Sequence, residues 1–102
     1  MDYTVSWSPE ALDDVDDIAS HIARDSAFYA QGVVAKILES ARRIANFPFA
    51  ARIVPELGDE NIRERFVYSY RLIYRIHEHE VLIVAVIHGK RLLEAIDDRV
   101  KG

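Results

Sequence analysis

The sequence predicts an α+β fold: an N-terminal strand, a helical hairpin packed on one face of a mostly antiparallel sheet, a three-strand C-terminal meander and a short C-terminal helix. Three observations predict it. Two stretches, residues 11–23 and 30–45, carry apolar side chains at helical spacing with only a short link between them. Three later runs read as strands joined by turn-sized connections. A short alternating stretch precedes them all.

That first stretch, Tyr3-Thr4-Val5-Ser6-Trp7, alternates as a strand does. Ser8-Pro9-Glu10 then starts a helix: Ser8 can cap, Pro9 fits the first helical position, and Glu10 and Asp13 suit the positive end of the helix dipole. Apolar residues at 11, 12, 15, 18, 19, 22 and 23 form one stripe, with Asp13, Asp14, Asp16 and Asp17 at its edges and outer face. Asp25-Ser26 breaks the pattern and offers a second cap. The second stripe runs through Ala30, Val33, Val34, Ile37, Leu38, Ala41, Ile44 and Ala45, and Asn46-Phe47-Pro48 stops it. So short a link makes the pair an antiparallel hairpin. Residues 47–61 mix two prolines, a glycine and acidic residues with Phe, Ile and Val, and read as a loop pinned by apolar anchors. The strands Ile62–Val67, Tyr70–His77 and Val81–His88 follow, joined by Tyr68-Ser69 and Glu78-His79-Glu80. After the break at Gly89, Leu92–Val100 is the place for a short terminal helix, with Leu92, Leu93 and Ile96 on its apolar side.

The 102 residues suit one domain, spanning 1–102. Half are hydrophobic and 29% charged, an ordinary globular composition. There is no cysteine, so no disulfide framework. The start lacks a basic n-region and an apolar h-region, and the longest apolar run, Val81–Ile87, is too short to cross a bilayer. A cytoplasmic protein with no membrane partner is expected. Formal net charge is −4, and it is unevenly placed. Residues 1–51 hold four basic against eight acidic side chains, whereas residues 61–91 hold six basic against three acidic. Such a balance argues against a general nucleic-acid binder but allows a small basic site.

The basic residues concentrate on the strands. Alternation puts Ile62, Glu64 and Phe66 on one side of their strand and Arg63, Arg65 and Val67 on the other; on the next, Leu72, Tyr74 and Ile76 oppose Arg71, Ile73, Arg75 and His77. With the helices over Leu72, Tyr74 and Ile76, the expectation is that Arg63, Arg65, Arg71 and Arg75 gather on the uncovered face, near His88 and the Gly89-Lys90-Arg91 corner. Two readings stand open. One is a solvated face with cross-strand Arg–Glu pairs of roughly 0.2–1 kcal/mol each, Glu56, Glu60, Glu78 and Glu80 being available partners. The other is a site for phosphates or carboxylates, which the planar guanidinium fork suits.

The segments "WSPEALDDVDDIASHIA", "ARIVPELGDENIRERFVYSYRLIYRI" and "VLIVAVIHGKR", in that order over nearly the whole chain, resemble the RelE/ParE superfamily of toxins from toxin–antitoxin pairs. "YRLIYRI" after "RERF" is the most specific element. The resemblance implies a small α+β toxin of plasmid-stabilisation type that needs no cofactor and is wrapped by a cognate antitoxin in a hetero-oligomer. Its target would be DNA gyrase in the ParE-like branch, or ribosome-bound mRNA in the RelE-like nucleases. Arg71 matches the arginine of the family's "YR" strand, and Arg91 the arginine after "GK" in the nucleases. Arg63 and Arg65 lie near where those nucleases carry lysines. Asp97 falls where the nucleases carry a C-terminal tyrosine, and an anion there would repel a phosphate. The ParE-like reading, with no catalytic residue, is therefore preferred; the alternative is a nuclease in which Arg71 and Arg91 stabilise phosphate charge and His88 moves a proton. Arg63, Arg65, Arg71, Arg75, His88, Lys90 and Arg91 are the residues expected to meet antitoxin or target.

His77-Glu78-His79 has ligand-like spacing but sits at a turn without a third ligand, so no metal site is expected. His21 belongs to the polar edge of its helix. Trp7 and Phe47 are expected to close the edge of the core. Phosphate-binding glycine loops and a nucleophile elbow are both missing from the sequence.

Overall fold

The computed structural model describes residues 3–91 and 97–101. Strand β1 (Thr4–Trp7) leads into helices α1 (Pro9–Ala23) and α2 (Ala27–Ile44), and β2 (Arg52–Ile53) precedes the strands β3 (Ile62–Val67), β4 (Tyr70–His77) and β5 (Glu80–His88). Helix α3 (Asp97–Lys101) is the short terminal helix; Leu92, Leu93 and Ile96, expected on its apolar side, lie outside the described residues. Both caps form as the sequence indicates. Ser8 Oγ accepts from the Ala11 N–H at 3.1 Å, and Ser26 Oγ from the Tyr29 N–H at 3.1 Å, each contributing about 1 kcal/mol.

The sheet order is β1-β5-β4-β3-β2, with β1 parallel to β5 and every other pair antiparallel. β2 was not visible in the sequence. Its two residues, opposite Glu64 and Arg63, are too few to show alternation, and they lie inside the stretch expected to be a loop. Both hairpins turn on two residues, Tyr68-Ser69 and Glu78-His79, so β5 begins one residue earlier than expected. Tyr68 and Glu78 each take left-handed backbone, with φ 55°.

The helices cover the expected face. Ala11, Val15, Ile37, Ala41 and Ile44 pack on Leu72, Tyr74, Ile76, Val81, Ile83 and Val86. Tyr74 is fully buried and its hydroxyl donates to the Pro48 carbonyl at 2.6 Å. Burial pushes that hydroxyl up to about 12, against the opposing pull of Arg63 and Arg65. Trp7 packs at the core's edge as expected, whereas Phe47 stands out in solvent and its neighbour Pro48 takes the buried place.

The opposite face is less open than expected. Ile62, Ile73, Val84, Ala85 and Ile87 form a second apolar cluster with Val54 from the loop after β2 and Val100 of α3. A register shift lets Tyr74 pair with Ile83 but Ile73 with Ala85, leaving Val84 as an extra residue of β5. Asp14 of α1 serves this irregular edge: its Oδ2 accepts from the Val86 N–H at 3.0 Å and pairs with Arg99 at 2.8 Å. No helix among the described residues is long and apolar enough to cross a membrane.

Candidate functional site

The four strand arginines do not share a face. Counting back from the two-residue turn, Val67 opposes Tyr70, Phe66 opposes Arg71, Arg65 opposes Leu72, Arg63 opposes Tyr74 and Ile62 opposes Arg75. Directly opposed residues of an antiparallel pair project to the same side. Arg63 and Arg65 therefore lie on the helix side with Leu72 and Tyr74, while Arg71 and Arg75 lie on the other side with Glu64 and Phe66. The expected single arginine surface does not exist.

Arg71 is buried, 4% exposed, and fully engaged. Its Nε donates to Glu64 Oε1 at 2.7 Å, and its two terminal nitrogens donate to the two oxygens of Glu56 at 2.8 Å each. Glu64 is only 2% exposed and also accepts from Arg52 Nε across the β2–β3 pair. The chain Glu56–Arg71–Glu64–Arg52 thus ties the loop after β2 to the sheet through charge-assisted, partly bidentate bonds. The Arg71 guanidinium hydrogen-bonded to Glu56 holds that carboxyl down at about 2. In return Glu56, then Glu64, hold the Arg71 guanidinium even more firmly protonated, against the opposing effect of burial. Of the two readings of the arginines, internal Arg–Glu pairing describes Arg71, though through a buried network rather than a solvated face.

Arg63 is also a framework residue. Its Nε donates to the Glu60 carbonyl at 2.8 Å, its Nη1 to the Phe49 and Ala51 carbonyls at 3.1 and 2.9 Å, and its guanidinium lies 5.2 Å from the Phe49 ring centroid. Arg65 and Arg75 are half-buried. Arg75 reaches a cavity of about 530 Å³ with Asp59, Asn61 and His77 on its wall and Val100 at its back.

His88, Lys90 and Arg91 are exposed at the end of β5. His88 Nδ1 accepts from the Lys90 N–H at 3.3 Å, and its ring meets Tyr70 edge-on with centroids 6.0 Å apart. Because His88 opposes Tyr70, it is on the helix side. Together with Arg91 it lines a cleft of about 310 Å³ whose other wall is α1, carrying Asp17 and His21. The alternative catalytic set is consequently divided: His88 and Arg91 share this cleft, and Arg71 sits across the sheet from it. Asp97 opens α3, and its side chain lies outside the described ones.

His77 at the end of β4 and Glu78 and His79 of the turn after it are all exposed. Among the described residues no three His, Asp or Glu side chains converge as metal ligands. Sequence reasoning missed two things that the fold brings out. Asp14, one of four aspartates placed at the edges and outer face of α1 with no partner named, borders the apolar stripe closely enough to reach β5. Phe28, Tyr29 and Tyr68, from α2 and the β3–β4 turn, are solvent-facing and line one cavity. The unbroken run Ala27-Phe28-Tyr29-Ala30 was the available signal for the second, since a helix has no inner side for all four.

Solved structures share this architecture. Over 86% of this chain and 97% of the other, the fold matches a chromosomal ParDE toxin–antitoxin system from P. aeruginosa with a TM-score of 0.73 and 16% identity. The toxin RelE of E. coli, a variant in the free state, matches over 99% of this chain and 96% of its own, with TM-score 0.68 and 15% identity. The toxin–antitoxin complex RelBE2 of Mycobacterium tuberculosis matches over 86% and 99%, with TM-score 0.62 and 22% identity. A comparison with curated proteins finds no match. At sequence level, residues 5–93 match the family model of the ParE toxin of the type II toxin–antitoxin system parDE. With that match covering most of its length, the chain belongs to the ParE toxin family, within the RelE/ParE superfamily.

Proposed function

We propose that this chain is a ParE-like toxin, one domain spanning residues 1–102, which acts in the cytoplasm by binding and inhibiting DNA gyrase and is held inactive in a hetero-oligomer with a cognate antitoxin. A role in plasmid stabilisation follows from such pairing. The observation that carries the choice of target is the placement of Arg71. A nuclease of the alternative type needs Arg71, Arg91 and His88 around one phosphate, with the guanidinium free to meet charge developing on it. Here Arg71 is buried, engaged by two carboxylates, and separated by the sheet from the cleft that holds His88 and Arg91. A binding toxin needs no such convergence.

Inducing the chain without an antitoxin tests both parts. Growth should stop with a DNA-damage response, and the purified protein should inhibit supercoiling by gyrase or trap cleaved DNA. Normal supercoiling at saturating, folded toxin would remove the gyrase reading. The nuclease reading retains one point in its favour, the joint presence of His88, His21 and Arg91 in a single cleft. Primer extension on transcripts after induction decides it: cuts within codons would establish cleavage, and intact transcripts alongside growth arrest would dismiss it. Co-expression with neighbouring open reading frames identifies the antitoxin as the protein that restores growth.

A further inference from the structure

Residues 27–38, "AFYAQGVVAKIL", contain no acidic residue and one basic one. Gln31 and Lys36 are its strongly polar side chains, and a helical segment apolar round most of its circumference is normally buried. Only the inner side of this one is: Ala30 and Ile37 are buried, while Phe28 and Tyr29 are 82% and 69% exposed. Facing them from the β3–β4 turn is Tyr68, 66% exposed. The three rings border an open surface pocket of about 420 Å³ over Gly32 and Val33. The space above Gly32 is open, since a Cβ there would meet no atom within 4 Å.

The turn carries a second, independent sign. Tyr68 holds φ 55°, a left-handed backbone that costs a bulky aromatic side chain energy and that glycine or asparagine accepts readily. Folding alone is better served by either of those. Glu78 holds the same φ at the first position of the other two-residue turn, so such a turn demands a left-handed residue; what sets this turn apart is that the place is given to an exposed aromatic side chain.

Charge then distinguishes the occupant. Gly89 N–H donates to the Ser69 carbonyl at 2.7 Å, so the Lys90–Arg91 corner abuts the turn that presents Tyr68. Both cations are exposed, and among the described residues neither has a carboxylate within salt-bridge distance. The acidic groups facing the neighbouring cleft are Asp17 and Asp14, and Asp14 is already paired with Arg99. The α1–α2 link adds one charge of each sign, Arg24 and Asp25. The neighbourhood of the pocket therefore favours a negatively charged partner.

We propose that the Phe28–Tyr29–Tyr68 pocket and the Lys90–Arg91 corner form one docking surface for the antitoxin, which inserts an apolar anchor residue between the rings and sets nearby carboxylates against the two cations. This rests on the antitoxin reading above. A nucleic-acid strand is the poorer occupant. Phe28 and Tyr29 meet edge to face, 69° between planes, so they offer no parallel platform for stacked bases. Two cations at one corner can meet a pair of carboxylates, whereas a long run of phosphates would also have to pass Asp17 on the same cleft and the rest of a chain of net charge −4.

The test is calorimetric titration of the full chain and its variants with the antitoxin identified by growth rescue, alongside a 20-nucleotide single-stranded RNA. Tyr68→Asn removes the ring while relieving the backbone, so it should raise the melting temperature and weaken antitoxin binding at least tenfold. Lys90→Glu with Arg91→Glu should weaken it at least tenfold and flatten its salt dependence. Affinities within twofold of wild type for both variants would overturn the proposal. RNA binding lost in these variants while antitoxin binding holds would assign the surface to nucleic acid instead. If no co-expressed protein restores growth, the antitoxin reading itself falls, an outcome distinct from an antitoxin that binds elsewhere.

Discussion

Replacing Arg71 by alanine separates framework from function. Arg71 and Glu64 are both nearly inaccessible, and the substitution deletes three bonds at 2.7–2.8 Å. What remains is a buried carboxylate with Arg52 as its ion-pair partner. Removing one member of a buried pair costs about 3–5 kcal/mol, most of it the burden of the charge left behind. The surviving Arg52 contact puts the expected loss near the low end, about 3 kcal/mol, a large share of the roughly 5–15 kcal/mol that holds a domain together. The companion variant removes both charges. Arg71→Met with Glu64→Leu fills the same volume with apolar groups, and such replacements are often neutral, so most of the lost stability should return. Urea unfolding at pH 7, with the slope compared between variants, measures both. A loss below about 1 kcal/mol for Arg71→Ala, or a double variant no more stable than the single one, would refute the reasoning. The folded double variant also has a biological readout. If Arg71 belongs to the framework, growth arrest persists in it; if Arg71 stabilises a phosphate, arrest disappears although the protein is folded.

Three further outcomes follow from other contacts. Tyr74→Phe should cost about 1–2 kcal/mol in urea unfolding, because it strands the buried Pro48 carbonyl that the hydroxyl now satisfies. Glu56 should make stability depend on acid: its carboxyl is depressed in the folded chain to about 2 from an ordinary 4.5, so its contribution is fully present above 4.5 and is lost as pH falls toward 2. With the side chain 45% exposed, the full linkage value of about 3 kcal/mol is discounted for screening to about 1 kcal/mol, and Glu56→Gln should lose that much at pH 6 yet match wild type near pH 2. Asp14→Ala should cost about 2 kcal/mol, since it leaves the Val86 N–H and the Arg99 guanidinium without their shared acceptor; protection of the Val86 amide in hydrogen exchange should fall with it.

The helices, their serine caps and the three long strands were legible because each rests on a local rule: a capping oxygen, a 3.6-residue stripe, alternation bounded by turn residues. β2 was not, since two residues carry no period and only pairing with β3 makes them a strand. The arginine faces are a different kind of miss. Each strand's alternation was read correctly, and so was the Tyr68-Ser69 turn. But the turn's length also fixes the register, and a two-residue connection makes Phe66 oppose Arg71 and places Glu64 on Arg71's side of the sheet. Applied, that rule would have separated Arg63 and Arg65 from Arg71 and Arg75 and supplied Arg71's nearer partner. The role of Glu56 was harder to see, because a loop residue fifteen positions away reaches Arg71 only after the loop has folded back. The second apolar cluster depends likewise on Val54 and Val100, which no strand pattern assigns to a face.

Partnering also decides how substitutions of the cations must be interpreted. Arg52, Arg63, Arg71 and Arg99 are bound to carboxylates or carbonyls that join one segment of the chain to another. Lys90 and Arg91 sit at the end of β5 and join nothing among the described residues. A charge reversal in the first group changes the folded population before it changes any interface, so loss of toxicity there says little about the target. A reversal at Lys90 or Arg91 leaves the packing of both apolar clusters untouched, and lost neutralisation or lost toxicity then reports a contact. Whether the two activities separate at those positions is the informative comparison. A variant that still arrests growth but escapes its antitoxin would place the antitoxin, and not the target, on the corner beside Tyr68.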